Sequence, residues 1–206
     1  LSDFGRSVVA AMNRRGIIVD VAHSGQRTSY EAAKASTKPM VASHSSCHAL
    51  HPHYRAKKDE VLRAIAGTGG FTGICAVADF IGRSHDLTAM LDHIDYAVRK
   101  VGVDHVAIAT DFSYRSTHAG AEYRKIPARR RLHAGWESFW PTPIARFPEG
   151  QETMAWTNWP LFTTGLVQRG YSDADIQKLI GGNALRVMRA VFPPRPKIPG
   201  ASAARQ

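Results

Sequence analysis

Cysteines are scarce in this sequence: only Cys47 and Cys75 occur among its 206 residues. Two cysteines cannot build the disulfide framework of a small secreted domain, so we expect two buried free thiols. Long apolar runs are also missing, since none approaches the roughly 18 residues that a membrane-spanning helix needs. The first residues lack the basic-then-apolar pattern of a signal peptide, and the sequence leaves the cellular compartment unknown.

Acidic residues are outnumbered: 17 Asp and Glu stand against 27 Lys and Arg, which gives a formal net charge of +10. Such an excess is compatible with nucleic acid, an acidic surface or an anionic substrate as a partner. No helix-turn-helix, zinc-finger or single-strand-binding motif accompanies the charge, which argues against nucleic acid. A Gly-x-Ser-x-Gly turn is missing as well, which argues against a serine hydrolase.

Three apolar runs in the chain each stop at a histidine or an aspartate. They are 17–22, followed by His23; 39–43, followed by His44; and 105–110, followed by Asp111. Runs without polar alternation are typical of strands buried on both faces of a parallel sheet. Because ligands collect beyond the carboxyl ends of such strands, we expect these three side chains to share one pocket.

The apolar runs alternate with helical segments. The sequence predicts strands near 17–22, 39–43, 71–77 and 105–110, with helices over 3–15, 26–35, 58–67 and 87–101. Asp3 is the expected N-cap of the first helix and Gly16 its stop. This alternation predicts an α/β fold with parallel strands, either a barrel or a doubly wound sheet.

The alternation stops after the last predicted strand. Residues 113–158 are rich in arginine, tryptophan and proline, and we interpret them as a long loop over the mouth of the site. Three C-terminal helices are expected, over 159–169, 172–180 and 183–191, and Ser172 is the expected N-cap of the second. The proline-rich tail 193–206 is expected to be flexible, so the folded part is expected to be 1–192.

Two histidines that end consecutive strands form a metal-site pattern. Adjacent strand ends are only ~5 Å apart, so two imidazoles can bind one ion at about 2.0–2.1 Å each. Asp111 adds an oxygen ligand or a general base, and this set of ligands suits zinc or a similar divalent ion. Asp20 is expected to support the metal ligands without binding the ion itself. Arg55 could bind a substrate carboxylate through its guanidinium. A solvated surface arginine is the alternative for Arg55.

Short motifs spread over most of the chain carry a family resemblance. They include Val-Asp-Val-Ala-His at 19–23, Val-Ala-Ser-His-Ser-Ser at 41–46, Arg55 ahead of Asp-Glu-Val-Leu at 59–62, and the segments 1–5, 93–96, 101–105, 109–112, 165–172 and 181–186. In their order and spacing, the chain resembles the C-terminal half of the membrane (renal-type) dipeptidases, peptidase family M19 of the amidohydrolase superfamily.

The resemblance implies a fold, a cofactor and an activity. The fold is a (β/α)8 TIM barrel, the cofactor is a pair of zinc ions bridged by a glutamate, and the reaction is the hydrolysis of dipeptides. By the same resemblance His23 and His44 match the histidines of the second zinc. Asp111 matches the aspartate that lies at the first zinc and acts as acid and base, and Arg55 matches the arginine that holds the substrate carboxylate.

The sequence also departs from the family pattern. Asp-Phe-Ser-Tyr stands at 111–114 where the family has Asp-Phe-Asp-Gly, Ala56 stands where an asparagine is usual, and 113–158 is longer than in the mammalian enzymes. The His-x-Asp motif, the bridging glutamate and the substrate-binding histidine have no candidate in this chain. We therefore expect a C-terminal half of the barrel, whose N-terminal half is a separate chain or a missing segment.

These expectations define the partners and the open alternatives. The expected partners are a small dipeptide-like substrate and the N-terminal half of the barrel, because four strands alone would leave open sheet edges. A homo-oligomer stays open, and one chain alone should retain zinc poorly. The alternatives to dipeptide hydrolysis are an amidohydrolase that acts on another small amide or lactam, and a catalytically incomplete half-barrel that serves as a binding module.

Overall fold

The computed structural model describes residues 1–111, 118, 121, 125 and 153–193. Most of the predicted loop over 113–158, and the predicted tail 193–206 apart from Pro193, lie outside the described residues. The elements of the described part are α1 (Asp3–Arg14), α2 (Gln26–Ala35), β1 (Val41–Ser45), α3 (Asp59–Gly67), β2 (Phe71–Ile74), α4 (Ala78–Ile81), α5 (Leu87–Val101), β3 (Val106–Ile108), α6 (Trp159–Gln168), α7 (Asp173–Gln177) and α8 (Asn183–Val191).

The three strands form one parallel sheet in the order β1-β2-β3. Val41 pairs with Phe71, and Thr72 pairs with Val106. Helices connect the strands, so the expectation of an α/β fold with a parallel sheet is confirmed. Because the strands are parallel, their carboxyl ends lie at one edge of the sheet, and the chain turns there towards the predicted site residues.

The prediction of a strand over 17–22 is wrong. This run forms only an isolated bridge between Asp20 and Val41. The next ladder bond would join the amide of Ser43 to the carbonyl of Val21, but the Ser43 amide donates to Asp20 Oδ1 at 3.0 Å instead. The Val21 carbonyl accepts from the amide of Ser24 at 3.0 Å, which turns the chain away from the sheet. Side-chain hydrogen bonds of aspartate compete with sheet ladders in this way.

The other predicted strands exist, but their ends differ. The run predicted as 39–43 is a strand at Val41–Ser45, 71–77 shortens to Phe71–Ile74, and 105–110 shortens to Val106–Ile108. His105 belongs to a 3-10 turn, Val103–His105, because the chain enters β3 through a tight turn after Gly102. Strand β1 therefore includes His44, which the sequence placed just beyond the strand.

Strand β1 contains a bulge at the position of His44. Ala42 pairs with Thr72 and Ser45 with Ile74, so three steps along β1 match two steps along β2. The extra residue bends the strand and changes the direction in which the side chains of Ser43 and His44 point.

Gly73 lies opposite the bulge and leaves it room. A Cβ atom at Gly73 would collide with the carbonyl oxygen of Ser43 and would lie 2.7 Å from Ala109 Cβ. Only glycine therefore permits this close approach of β1 and β2.

Replacing Gly73 by alanine is expected to lower the free energy of unfolding by about 3 kcal/mol, the upper part of the range for overpacking, because backbone must move. Gly67→Ala is the matched control, since a Cβ atom there meets nothing within 4 Å. Urea unfolding measures both variants. Equal stability of Gly73→Ala and the parent chain would refute the steric role of Gly73.

The helices begin and end largely where the apolar spacing predicts. Gly16, at φ 67°, follows α1 as expected, and the hydroxyl of Ser172 caps α7 by accepting from the amide of Asp175. Ser2, not Asp3, is the N-cap of α1, because its hydroxyl accepts from the amide of Gly5. Helix α7 is shorter than predicted, since the chain continues as a π-helical turn, Lys178–Gly182, before α8.

Two large buried clusters anchor the sheet. One joins α5 and α6 to β2 and β3 through Ile94, Leu166, Ile74 and Val106, among other residues. The other packs α1, α2 and α3 against the 17–22 run and β1. Cys47 and Cys75 are free and buried, as expected. None of the helices in the described ranges combines the length and the hydropathy that a membrane span requires.

Candidate metal centre

The three predicted metal ligands lie together at the carboxyl edge of the sheet. His23 belongs to the turn 21–24 that follows the 17–22 run, His44 lies in the bulge of β1, and Asp111 follows β3. The Nε2 atoms of His23 and His44 are 2.8 Å apart, and Asp111 Oδ2 lies 3.9 Å from His44 Nε2. Asp111 has a left-handed backbone, with φ 49°. The structure thus brings these residues into one cluster, while their role as ligands stays a prediction.

A hydrogen-bond chain determines which nitrogen of His44 faces the pocket. The hydroxyl of Ser43 donates to Asp20 Oδ2, and its oxygen lies 2.8 Å from His44 Nδ1. Because that hydroxyl has used its proton on Asp20, it accepts the Nδ1 proton of His44. The Nε2 lone pair of His44 is then free to bind a metal ion. Asp20 therefore helps to orient His44 through the hydroxyl of Ser43, which agrees with the supporting role expected from its position in the sequence.

The surroundings of His23 favour its neutral form. Burial lowers its pKa below the usual value, and the positive charge of Arg55 and the neighbouring His44 lower this pKa further. These influences outweigh those of Asp111 and Asp20, which raise the pKa. A neutral imidazole is the form that binds metal ions. The two Nε2 atoms are within hydrogen-bond distance, so the Nε2–H of His23 can donate to the Nε2 of His44 and one proton can join the two rings. This proton must leave before both nitrogens can bind one ion.

His23, His44 and Asp111 match only part of the coordination that a divalent metal ion requires. A tetrahedral zinc ion bound to two imidazoles holds their nitrogens roughly 3.3 Å apart, so the pair would need to separate by only roughly 0.5 Å. Among the described residues, however, no group of three or more His, Cys, Asp or Glu side chains is arranged to hold a metal ion. His23 and His44 would supply two ligands, Asp111 is a neighbouring carboxylate, and a complete site would need at least one further ligand.

Arg55 places a buried cation beside the histidine pair. The residue is only 9% exposed, and its backbone carbonyl accepts from the hydroxyl of Ser45 at 2.8 Å. The guanidinium lies over the ring of Phe80, 5.0 Å from the ring centroid. Its Nε and Nη2 atoms are buried and have no hydrogen-bond partner among the described residues. Buried donors without acceptors are rare, and two donors of one guanidinium can form parallel hydrogen bonds with an anion.

The structure adds Lys57, which sequence reasoning missed. Its side chain is buried, and Nζ donates to the carbonyl oxygens of Val21 and Ser24 at 2.7 and 2.6 Å. Burial lowers the pKa of Lys57 to about 8, so the ammonium is still its main form at neutral pH. A lysine in a polar loop gives no sequence signal of burial, because long charged side chains are mostly exposed.

Comparison with known proteins connects this geometry to a family. The family model described as membrane dipeptidase (peptidase family M19) matches residues 1–125 and 139–196. The chain belongs to this family. The earlier resemblance is therefore confirmed, and both predicted histidines, Arg55 and Asp111 lie within the matched residues.

Relatives of this M19 chain have been described in fungi and bacteria. Dipeptidase verJ of Clonostachys rogersoniana is 30% identical over 195 residues, which are 93% of this chain and 42% of that protein. An amidohydrolase structure from Pseudomonas aeruginosa has a TM-score of 0.73 at 33% identity. The match covers 93% of this chain and 57% of the Pseudomonas chain. The structure of a metallopeptidase from Rhodobacter sphaeroides, liganded with a phosphinate mimic of the dipeptide L-Ala-D-Ala, has a TM-score of 0.69 at 22% identity.

The M19 chain spans about half of these proteins. It covers 42% of verJ, 57% of the Pseudomonas chain and 47% of the Rhodobacter chain. The likeness to the Rhodobacter structure is a likeness of fold, because its sequence identity is low. The activity of the whole protein, its metal content and its partners are therefore treated as proposals.

Proposed function

We propose that this chain is the C-terminal half of a zinc-dependent dipeptidase barrel, which hydrolyses the peptide bond of dipeptides with an activated water molecule. The observation that carries the proposal is a pair of imidazole Nε2 atoms, 2.8 Å apart, beside the Arg55 guanidinium, two of whose buried donors have no partner among the described residues. The imidazoles suit a metal ion and the guanidinium suits a free carboxylate. A dipeptide brings its scissile carbonyl and its terminal carboxylate within a few bonds of each other, which favours this short substrate.

Each named side chain has a separate part in the reaction. His23 and His44 would hold a zinc ion, which would supply an activated water and polarise the scissile carbonyl. Arg55 holds the terminal carboxylate of the substrate and so fixes the peptide bond in the pocket. Asp111 takes the proton of the attacking water and passes it to the leaving amine. The exposed position of Asp111 at the sheet edge allows both transfers without a change of fold.

The upstream half of the barrel is the proposed partner. Two zinc ions are expected in the complete site, but the described residues supply two imidazoles and one neighbouring carboxylate. The sheet has two open edges among the residues described. One is the edge of β3 that does not face β2, and the other is the edge of the 17–22 run that does not face β1, so further strands could pair at either edge. An N-terminal half on a separate chain, or in an upstream segment, would supply both the strands and the ligands. A homo-oligomer is the alternative way to cover these edges.

Zinc content tests the need for that half. We expect the 206-residue chain to retain at most one zinc equivalent, and the complex with the upstream half to retain two. The physical reason is that an ion with too few protein ligands exchanges with solvent and chelators. Elemental analysis of dialysed protein, with the intact mass measured on the same sample, gives the ratio. Two equivalents in the chain alone would contradict the proposed half-site.

A different small amide or a lactam is the second candidate substrate. The observation that favours it comes from the sequence: Ser113-Tyr114 follows Asp111-Phe112 where the family has Asp-Gly. Product analysis with a dipeptide panel and a panel of cyclic amides separates the two substrate classes. A binding module without catalysis remains the third alternative. It predicts full folding without metal and unchanged partner binding in His23→Ala.

A further inference from the structure

Lys57 has a buried ammonium, which Asp20 influences only through its charge and not through an ion pair. The residue is 1% exposed, and Nζ donates to Val21 O at 2.7 Å, to Ser24 O at 2.6 Å and to Ser29 Oγ at 3.2 Å. No acidic side chain in the described ranges forms an ion pair with it. Burial of an unpaired cation costs free energy, so a contribution to stability does not explain this lysine.

Two of the three acceptors enclose His23. Val21 and Ser24 are the first and last residues of the turn that carries this histidine, and the Ser24 amide donates to the Val21 carbonyl at 3.0 Å. In a continued parallel ladder the Val21 carbonyl would face the amide of Ser43, which is bonded to Asp20 instead. The ammonium therefore donates a hydrogen bond to the Val21 carbonyl in place of the missing ladder amide, at the point where the chain leaves the sheet. It secures the turn from both of its ends.

The backbone of Lys57 is attached to the segment that follows His44. Its amide donates to Ser46 O at 2.8 Å, and its carbonyl accepts from the amide of His48 at 2.9 Å. Lys57 therefore joins the two chain segments that carry the paired histidines, one through its side chain and the other through its backbone. The same loop also carries Arg55, two residues earlier. A displacement of this loop would change the distance between the two imidazoles.

We propose that Lys57 is a positioning residue, which sets the distance between His23 and His44 and thereby the affinity of the pair for a divalent metal ion. The metal part of this inference rests on the proposed function, whereas the geometry of the imidazole pair does not. Loss of the ammonium leaves neither turn carbonyl unsatisfied, because Val21 O keeps the Ser24 amide and Ser24 O keeps the Ser29 hydroxyl at 3.2 Å. The turn should therefore loosen without unfolding the chain.

The test compares Lys57→Met with Lys58→Met in the complete protein that contains this chain. Lys58 is the matched control, because it is the next residue, is exposed and loses the same charge. Zinc affinity, measured by competition with a chromophoric chelator, is expected to fall 10–100-fold in Lys57→Met, the range for residues that orient metal ligands. It is expected to stay unchanged in Lys58→Met. Equal affinity in Lys57→Met and the parent protein would overturn the inference.

A second readout does not need metal. In the metal-free protein, the proton that joins the two Nε2 atoms should give a downfield imidazole resonance in ¹H–¹⁵N spectra. This resonance is expected to disappear in Lys57→Met and to persist in Lys58→Met. If the parent protein binds no zinc, the proposed function fails. The spectrum still tests whether Lys57 sets the distance between the two imidazoles, because a retained resonance in Lys57→Met would overturn that role.

Thermal unfolding separates positioning from general destabilisation. Leu166→Ala, in the buried cluster of α5 and α6, provides a destabilised variant whose mutated residue lies outside the cluster that packs the 17–22 run. Positioning by Lys57 predicts weaker zinc binding in Lys57→Met than in Leu166→Ala, even though the alanine variant unfolds at the lower temperature. Equal losses of zinc affinity in the two variants would overturn the proposed role.

Discussion

Replacing Asp111 by asparagine is expected to lower kcat on dipeptides by about 10²–10⁴-fold, the usual contribution of a general acid–base group. Asparagine retains an oxygen atom at nearly the same place, but it cannot accept the proton of the attacking water. Substrate binding should survive, because Arg55 rather than Asp111 is the proposed contact of the terminal carboxylate. Steady-state kinetics measures the first effect, and the dissociation constant of a phosphinate dipeptide mimic measures the second.

Asp104→Asn is the matched control for this variant. Asp104 lies before β3, whereas Asp111 follows it, and the Asp104 carboxylate pairs with Lys178 at 3.0 Å on the surface. The same chemical change there should leave kcat unchanged. Zinc content must be determined for each preparation, so that loss of metal is not mistaken for loss of proton transfer. Unchanged turnover by Asp111→Asn would remove Asp111 from the mechanism.

Replacing Arg55 by methionine is expected to lower kcat/KM on dipeptides by roughly 30-fold or more, since removing one partner of a buried charge pair costs roughly 2–5 kcal/mol. The effect should depend on the substrate. A dipeptide amide lacks the terminal carboxylate, so the parent enzyme should cleave it slowly and the variant should cleave it at a similar rate. An equal loss of activity on both substrates would contradict the carboxylate contact.

The same substitution should have the opposite effect on stability. In the absence of substrate, Arg55 has two buried donors that find no partner in the part of the chain that the structure describes, and their removal with the charge should raise the unfolding temperature. Arg63→Met is the control, because Arg63 is a largely exposed arginine of α3 that reaches Asp59 at 3.8 Å. That variant should change neither the substrate preference nor the stability appreciably. A lower unfolding temperature in Arg55→Met would indicate a structural role for the guanidinium.

Helix positions were well predicted from the sequence. The apolar spacing predicted α2 at 26–35 and α5 at 87–101, and both occur with those bounds. Local periodicity was sufficient because each helix needs only its own residues to hydrogen-bond and one apolar stripe to pack. The run 17–22 was not predicted correctly, because a strand needs a partner's amides and carbonyls. Here Asp20, Ser24 and Lys57 compete for those groups.

The candidate site was predicted only in outline. Apolar runs that end in His23, His44 and Asp111 indicated the pocket, because residues that follow parallel strands meet at one sheet edge. Three features had no such signal: the bulge in β1, the close approach at Gly73 and the buried ammonium of Lys57. Each of them depends on atoms of two segments that are distant in the sequence.

The sequence by itself determined the family and the α/β class, and it supplied the residues proposed to bind metal, carboxylate and proton, because these follow from residue type, order and spacing. Tertiary structure alone decided the geometry of the site. It placed two imidazole nitrogens 2.8 Å apart, left two guanidinium donors of Arg55 without a partner in the described ranges, and buried Lys57 under the turn that carries His23. The physical reason is that burial and hydrogen-bond competition arise only when distant segments pack together.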